Sequence, residues 1–574
     1  MKKWEIAAKS PPEADQPMAG KVEDIVKILL KNRGLKTRKD IELFLNSPDP
    51  SKLTASDVGI DKASLSKAIK RIQKAIQDKE SIVVYADYDA DGITAGAIMW
   101  ETLHSLGASA MPYIPHRVEE GYGLSRKGID AVRAQFDPTL IITVDHGITA
   151  WEKVEYAREK GIEVIVTDHH VKPDKLPDCT IVHTTKLSGS GVSWFLSKEL
   201  QKHSSLSIQH SALNDHIALA AIGTIADLVQ LTGPNRSIVK YGLAALNDTK
   251  RVGLEALMTD AGLTRGALDV FTVSHMLAPR LNAMGRLEHA MDALRLLCTK
   301  QKDKASMLAE KLGMTNRDRQ KLTEETVLHA KNLVSSFIIQ HSSLKLLFVS
   351  HESYNPGVIG LVAGKLMEEY YLPAIVASKG ESISKASARS ISGFNIVEAI
   401  RACSDILIDV GGHPMAAGFT VENKHLESLQ ARLEQLAKKE ITEDMLTRSL
   451  KIDSEIPLEF VTMELYTALQ QFQPFGFGNP EPVFVTRCLL VKEARLVGAT
   501  GKHLKLKVSP SIHLTHEIHE PHSTHLLDAI AFNQGSLYGS LQKDAQVDLA
   551  YTIDMNTWNG SSRLQLKIKD IHIV

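Results

Sequence analysis

Only four of the 574 residues are cysteine (Cys179, Cys298, Cys403 and Cys488), and no two are close in sequence. That spacing argues against a disulfide framework or a thiolate zinc ribbon and fits a reducing cytoplasm. An excess of one charge is missing too, since 67 Lys and Arg face 68 Asp and Glu for a net charge of −1. Proteins that bind nucleic acid often carry a basic excess. Any such surface here must be a local patch offset by acids elsewhere, for example acids gathered at a metal site. No run approaches the ~20 consecutive apolar residues of a membrane span. The opening stretch MKKWEIAAKSPPEADQ lacks the apolar core of a signal peptide. What is present is ordinary globular composition, 43% hydrophobic and 24% charged, in a chain long enough for several domains.

Residues 1–75 read as a polar, helical N-terminal region, with Leu65, Ile69, Ile72 and Ile76 at helical spacing towards its end. From 76 to 300, short apolar runs alternate with helical stretches. Ile82-Val83-Val84-Tyr85, Leu140-Ile141-Ile142-Thr143-Val144 and Val164-Ile165-Val166-Thr167 are the runs. Continuous runs of this kind suggest buried parallel strands, and the βαβ rhythm predicts an α/β, doubly wound sheet. Lys302 to Val334 has no proline and one glycine, Gly313, which predicts a long connecting helix within 301–342. Residues 343–450 return to α/β alternation. Residues 451–574 contain alternating runs such as Leu504-Lys505-Leu506-Lys507-Val508, which predict a small antiparallel barrel of the OB type.

The chemistry lies at the strand ends. The first run leads into Asp87-Tyr88-Asp89-Ala90-Asp91-Gly92, the second into Asp145-His146-Gly147, and the third into Asp168-His169-His170. In an open parallel sheet, ligands bind beyond the carboxyl ends of the strands, so all three segments reach one edge. Gly223-Thr224-Ile225-Ala226-Asp227 follows an apolar helical stretch and offers a further acid. Gathered carboxylates repel one another, and a divalent cation relieves that repulsion. Oxygen ligands with one or two imidazoles suit Mg²⁺ or Mn²⁺. Two such ions ~3.5–4 Å apart can hold a phosphodiester, activate water and stabilise a leaving oxygen. Asp145, alone on the middle segment, is the natural bridging ligand. Any one of these acids can equally be a helix N-cap. A calcium loop needs Glu at its twelfth position, and counting from Asp87 gives Ile98.

Further along, Gly411-Gly412-His413 follows an apolar run. Two glycines let backbone approach a phosphate, and His413 can donate to it. In the barrel region Arg487, Lys492, Arg495, Lys502, Lys505 and Lys507 predict a basic face that tracks a DNA backbone, and Phe475 and Phe477 are placed to stack on bases or to pack. His513, His516, His519, His522 and His525 recur every third residue and read as a solvated insertion.

Taken in order, these segments resemble the DHH phosphoesterase superfamily and, within it, the RecJ family. The resemblance also takes in Asn235-Arg236, Pro279-Arg280-Leu281-Asn282-Ala283-Met284-Gly285-Arg286, Gly411 to Gly418, and Pro474-Phe475-Gly476-Phe477-Gly478-Asn479-Pro480. It implies a DHH domain, a DHHA1 domain and an OB domain joined as above. It implies a 5′→3′ exonuclease that degrades single-stranded DNA to mononucleotides in recombination and repair, with Mg²⁺ or Mn²⁺ as cofactor. Asp89, Asp91, Asp145, His169 and Asp227 are then the metal ligands, Asp87 supports them, His170 lies near the scissile phosphate and Asp168 orients the histidines. Ser387, Arg389 and Ser390 resemble the segment that reads the DNA end, with Arg117, Arg280, Asn282, Gly412 and His413 as further substrate contacts. The family implies a cytoplasmic monomer whose partners are single-strand binding protein and a RecQ-type helicase, with no membrane partner. Three departures stand out: His146, Tyr354-Asn355, and the altered segment Val182-His183-Thr184-Thr185. Two other readings remain. An oligonucleotide phosphodiesterase or phosphatase of the DHH type would not need the barrel, and a non-catalytic scaffold would not need intact acids.

Overall fold

The computed structural model describes residues 2–7, 22–117, 119–202, 210–340, 344–511, 526–558 and 560–574. The histidines at 513, 516, 519, 522 and 525 lie outside the described residues. The chain forms two compact units, residues 1–47 with 447–574, and residues 48–446. The predicted N-terminal region therefore divides near residue 48. It also opens on a strand, β1 (Lys3–Ile6), rather than on a helix.

The unit of residues 48–446 holds two sheets. The first contains β2 (Ser81–Ala86), β3 (Ser109–Tyr113), β4 (Leu140–Val144), β5 (Glu163–Asp168) and β6 (Thr180–His183), in the order β3-β2-β4-β5-β6. Every pairing is parallel. Strand alternation sends Ile82, Val84, Ile142, Val144 and Ile165 into one core, with the helices Lys62–Gln77, Ala90–Ser105 and Gly189–Lys202. It sends Val83, Tyr85, Ile141, Val164 and Val166 into a second core on the other face. Both faces are covered, which is why the strands read as unbroken apolar runs.

The helix Lys302–Gln340 follows, 39 residues long. Beyond it come β7 (Leu347–His351), β8 (Ala374–Lys379), β9 (Ile383–Arg389), β10 (Leu407–His413) and β11 (Ala416–Glu422), in the order β10-β11-β9-β8-β7. Only β7 and β8 pair in parallel, and the other three pairings are antiparallel.

The other unit closes a barrel. After β12 (Ser449–Ile452) and β13 (Ser454–Glu455) come β14 (Phe484–Val497), β15 (His503–Pro510), β16 (Leu527–Ala531), β17 (Gln546–Trp558) and β18 (Ser561–Ile573). They pair as β13-β14-β15-β16-β18-β17, and β17 returns to β14. Two pairings, β13 with β14 and β16 with β18, are parallel, so the barrel is not wholly antiparallel. The N-terminal segment belongs here for physical reasons. β1 pairs with β12, and Trp4 stacks on His572 at 3.8 Å while its Nε1 donates to Asp570 at 2.8 Å. Ile25, Leu29 and Leu30, on the apolar face of the helix Val22–Asn32, complete the core of the barrel.

One helix contact bears directly on the acidic loop. A Cβ on Gly285, in the helix Ala278–Leu287, would lie 2.2 Å from the Tyr88 carbonyl oxygen. Gly285→Ala must therefore push helix and loop apart. The expected loss is about 1–3 kcal/mol, as for other overpacked contacts, read by urea unfolding and accompanied by weaker cation binding. An unchanged unfolding midpoint would show that this contact does not hold the loop.

Candidate metal centre and anion pocket

The parallel sheet delivers its acids to one edge. β2 runs out to Asp87, Asp89 caps the helix Ala90–Ser105 that follows, and Asp91 stands in the first turn of that helix. β4 ends just before Asp145, and β5 ends on Asp168, followed by His169 and His170. Asp227 follows the C-terminus of the helix His210–Ala226. Ligand atoms of Asp87, Asp89 and Asp145 lie within 4.8 Å of one another, as do those of Asp91, His169 and Asp227, and those of Asp145, His169 and His170. Shared Asp145 and His169 make these groups one continuous cluster. Asp145 Oδ1 is 3.1 Å from His169 Nε2, which is 3.5 Å from Asp227 Oδ2.

The cluster is under electrostatic and backbone strain. Asp145 has φ of 68°, a left-handed conformation unusual for a residue with a side chain. Its Oδ1 and the Nε2 of His169 are buried without hydrogen-bond partners. Burial, and then the charges of neighbouring aspartates, push Asp87, Asp89 and Asp145 above the usual carboxylate range. Asp227 is pushed up to about 8, by burial first and then by Asp91 and Asp89. Its position after a helix C-terminus adds to the effect, because the helix dipole disfavours an anion there. Orphaned buried ligand atoms ringed by repelling carboxylates are what a divalent cation relieves. The oxygen-rich donor set with an imidazole fits Mg²⁺ or Mn²⁺.

The remaining polar groups hold these ligands in place. Asp168 Oδ2 accepts from the Ile148 amide at 2.8 Å. Its Oδ1 accepts from the amides of His169 (2.6 Å) and His170 (3.1 Å) and from His170 Nδ1 (2.8 Å). Burial alone would raise the Asp168 pKa, but these bonds hold it well below the carboxylate range. Burial would likewise lower His170, but Asp168 lifts it to about 9. His183, in the altered segment, donates from Nε2 to the His170 carbonyl at 2.7 Å. Asp91 accepts from the amides of Gly189 (2.7 Å) and Ser190 (2.9 Å) at the start of the helix Gly189–Lys202. Asp89 Oδ1 accepts from the Gly92 amide at 2.9 Å and so caps its own helix. Asn282 Oδ1 accepts from the Ala90 amide at 2.8 Å and ties the helix Ala278–Leu287 to the acidic loop.

Next to the acids lies a cavity of about 290 Å³ whose lining includes Arg117, Arg286, Gly357, Ser387 and Arg389. The Arg117 guanidinium stands 5.0 Å from the ring of Tyr88, within the acidic loop, so cavity and cluster adjoin. Arg286 Nη1 donates to the Gly357 carbonyl at 3.0 Å, and Arg389 Nη1 to Ala388 O at 2.8 Å and Ser387 Oγ at 3.3 Å. None of the three arginines forms an ion pair among the described residues. Burial, then the guanidiniums of Arg117, Arg319 and Arg389, push Arg286 down to about 10. This is the mirror image of the acids, and a bound anion relieves it. Cross-strand register puts His413 in one row with Ala416 and Arg389, and Gly411 in one row with Gly418 and Ser387. The glycine row leaves open space above Ser387.

Arg280, Ser390, Gly412 and His413, all expected at this pocket, are not among its lining residues, and His413 is exposed. Arg280 Nε bonds Asp260 Oδ2 at 2.9 Å and its Nη1 the Met276 carbonyl at 2.8 Å. The arginine of the same motif that enters the cavity is Arg286. Six helical residues turn a side chain by a net angle of about 240°, so the two face different neighbours. Ser390 is fully buried, donating to the Phe394 carbonyl at 2.6 Å. Gly412 shares its row with Ala417 and with Ala388, which is in the core. Its need for glycine is backbone geometry, with φ of 139° and a Cβ that would lie 2.4 Å from Ala416 O. Sequence reading also passed over Tyr122. It is 54% exposed, with its ring 6.4 Å from that of His170 and 6.2 Å from that of Tyr88. The glycines on either side of it, Gly121 and Gly123, both of positive φ, were the available signal. The basic barrel face is largely neutralised as well. Arg487 pairs with Glu455 and Asp548, Lys492 with Asp544, Lys505 with Asp528 and Lys507 with Glu493. Phe475 packs against the barrel core, whereas Phe477 is exposed.

Acids and imidazoles at the carboxyl edge of a doubly wound sheet, followed by a second α/β domain and a barrel, define a phosphoesterase of the DHH class. Family models match in the same places: the DHH family N-terminal domain over 81–224, the DHHA1 domain over 338–439 and the RecJ OB domain over 452–570. The single-stranded-DNA-specific exonuclease RecJ of Bacillus subtilis is 35% identical over 561 residues, covering 96% of this chain and 68% of its own. That of Escherichia coli is 30% identical over 584 residues, covering 97% of each. The crystal structure of Thermus thermophilus RecJ with Mn²⁺ matches with a TM-score of 0.80 at 28% identity, covering 99% of this chain and 79% of that one. The Mg²⁺ complex of the same protein matches with a TM-score of 0.75 at 27% identity. The chain belongs to the RecJ family.

Two outcomes follow from this geometry. Without a divalent cation, the folded protein holds protons on the raised carboxylates that the unfolded chain has already released. Its stability therefore falls as pH rises from the unfolded carboxylate range towards 8, and the raised His170 acts in the same direction between its unfolded value of 6.5 and about 9. Saturating Mn²⁺ should raise the thermal midpoint, and by more near pH 8 than near pH 5. A shift of equal size at both would mean that the cluster is not what the cation discharges. Separately, Arg280→Gln should cost stability, about 1.5–3 kcal/mol for a charged hydrogen bond, and leave any preference for a phosphorylated end intact. Arg286→Gln should do the reverse, as read by chemical denaturation and by competition between the two ends.

Proposed function

We propose that this protein is a metal-dependent exonuclease that degrades single-stranded DNA from its 5′ end and releases 5′-mononucleotides. The observation that carries the reading is adjacency: a cation-binding acid cluster directly beside a pocket of unpaired guanidiniums. Arg117, Arg286, Arg389 and Ser387 would take a terminal phosphate. Asp87, Asp89, Asp91, Asp145, His169 and Asp227 would hold Mg²⁺ or Mn²⁺ against the next phosphodiester. Bound there, the ions supply Lewis-acid charge and lower the pKa of water.

The chain itself does the positioning. Asp168 fixes the His170 ring through its Nδ1 and, in the metal-free protein, lifts its pKa to about 9; a protonated ring would donate to a phosphate oxygen. Tyr122 flanks the same position. Cleavage of the P–O3′ bond leaves a 3′-hydroxyl on the released nucleotide and a fresh 5′-phosphate on the strand. That phosphate is the group the arginine pocket takes, so each cycle regenerates the bound form of the substrate. The polarity follows from this chemistry.

Among the described residues, no helix is long and apolar enough to cross a membrane. We further propose a cytoplasmic monomer acting with single-strand binding protein and a RecQ-type helicase, and co-sedimentation with each would test the partners. The competing oligonucleotide phosphodiesterase reading lacks a role for the C-terminal barrel.

End-labelled oligonucleotides with Mg²⁺ or Mn²⁺ test the main reading. A 5′ label should appear as mononucleotide from the first turnover, and single strands should outrun duplexes. First release from the 3′ label, or preference for dinucleotides, would reject it. Asp145→Ala and His169→Ala should each lower the rate by more than about 100-fold, the upper loss typical of a residue that only orients a ligand.

A further inference from the structure

We infer that Arg319 and Asn316, on the long helix Lys302–Gln340, form a second contact to the DNA backbone, outside the terminal-phosphate pocket. This deepens the exonuclease reading and rests on it.

The buried side of that helix changes character along its length. Ala305, Leu308, Ala309 and Leu312 are buried and apolar, as are Val327, Ala330 and Val334 further on. Between them, Gly313 aside, the buried positions are Thr315, Asn316, Thr323 and Thr326. The threonines turn their hydroxyls back to the carbonyls of Lys311, Arg319 and Leu322 at 3.0, 2.7 and 2.7 Å. They satisfy themselves and leave the segment polar but without outward demand. Arg319 is the exception. Its Nη2 donates to Asn316 Oδ1 at 2.7 Å, and its Nε is buried with no partner at all.

A guanidinium in such a place normally has a carboxylate. Arg71 has Glu80, Arg251 has Asp215 and Arg280 has Asp260. Arg319 has none among the described residues, and burial lowers its pKa with no neighbour raising it. Its helix packs against the helix Ala278–Leu287, which carries Arg286, and the two charges repel, yet Arg319 is not among the residues that line the arginine cavity. An unpaired cation beside that cavity, with a buried N–H lacking an acceptor, calls for an anionic oxygen from the ligand. The terminal phosphate already has three guanidiniums and a hydroxyl. The oxygen for Arg319 is therefore on the internal sugar–phosphate backbone, and Asn316 fixes the direction in which Arg319 presents its fork.

Steady-state kinetics on oligothymidylate with a 5′-phosphate and with a 5′-hydroxyl test this. Arg319→Gln should raise KM on both about tenfold, the loss of one charge-assisted hydrogen bond, with kcat little changed. It should also make the salt dependence of KM shallower by about 0.7 in log–log slope. Arg319→Lys should recover part of the loss, and thermal midpoints would show that both variants fold. Arg389→Gln, by contrast, should act on the phosphorylated end alone. An unchanged KM in Arg319→Gln, or a loss confined to the 5′-phosphate substrate, overturns the inference. A wild-type protein that releases no nucleotide counts instead against the exonuclease reading. The same requirement on Arg319→Gln then applies to fluorescence-anisotropy binding of the two oligonucleotides.

Discussion

Carboxylates crowded at the edge of one sheet set the terms for the rest of the molecule. Asp87, Asp89, Asp145 and Asp227 repel one another in a buried place, and each is pushed towards its neutral form. Such an arrangement persists only where the surroundings over-determine it. Here the parallel strands fix three of the segments, helix N-terminal amides hold Asp91, and Asn282 ties down the loop. Asp168, hydrogen-bonded at both oxygens and held well below the carboxylate range, is an anion around which the histidines are ordered. Folding stability is spent at this edge, and the two apolar cores on either face of the sheet are what offset it.

The parts legible in the sequence are those fixed by local periodicity. Runs such as Leu140–Val144 could only be buried on both faces, so the acid that follows each run had to fall on one edge. The long helix was legible because nothing in Lys302–Val334 interrupts it, and the barrel because its strands alternate. What was not legible depends on partners distant in the chain. Arg280 and Arg286 share one motif, and only the position of Asp260 and the phase of the helix tell them apart. Ser390 and Gly412 sit beside true pocket positions, but strand alternation and a local carbonyl send them the other way. Arg487 and Lys492 look like part of a basic face until β17 and the turn before it supply Asp548 and Asp544. The first residues of the chain gave no hint that their partners lie beyond residue 447.

Near-zero net charge requires that any nucleic-acid surface be a local patch offset by acids elsewhere, and the structure contains both parts. Opposite charges are gathered into two adjoining clusters that do not neutralise each other. At about 5 Å and an effective dielectric constant near 20, one carboxylate and one guanidinium attract by roughly 3 kcal/mol, so collapse into ion pairs would be favourable if geometry allowed it. The geometry does not allow it. Arg117 lies over the ring of Tyr88 rather than on the flanking aspartates, and Arg286 is fastened to the Gly357 carbonyl. Each cluster is left needing a counter-charge from outside, cations for the acids and phosphates for the arginines. A DNA strand entering with its metal ions brings both at once. On the proposed reading, binding relieves two separate repulsions, and the first nucleotide would span them, its terminal phosphate at the arginines and the phosphodiester beyond it against the cations.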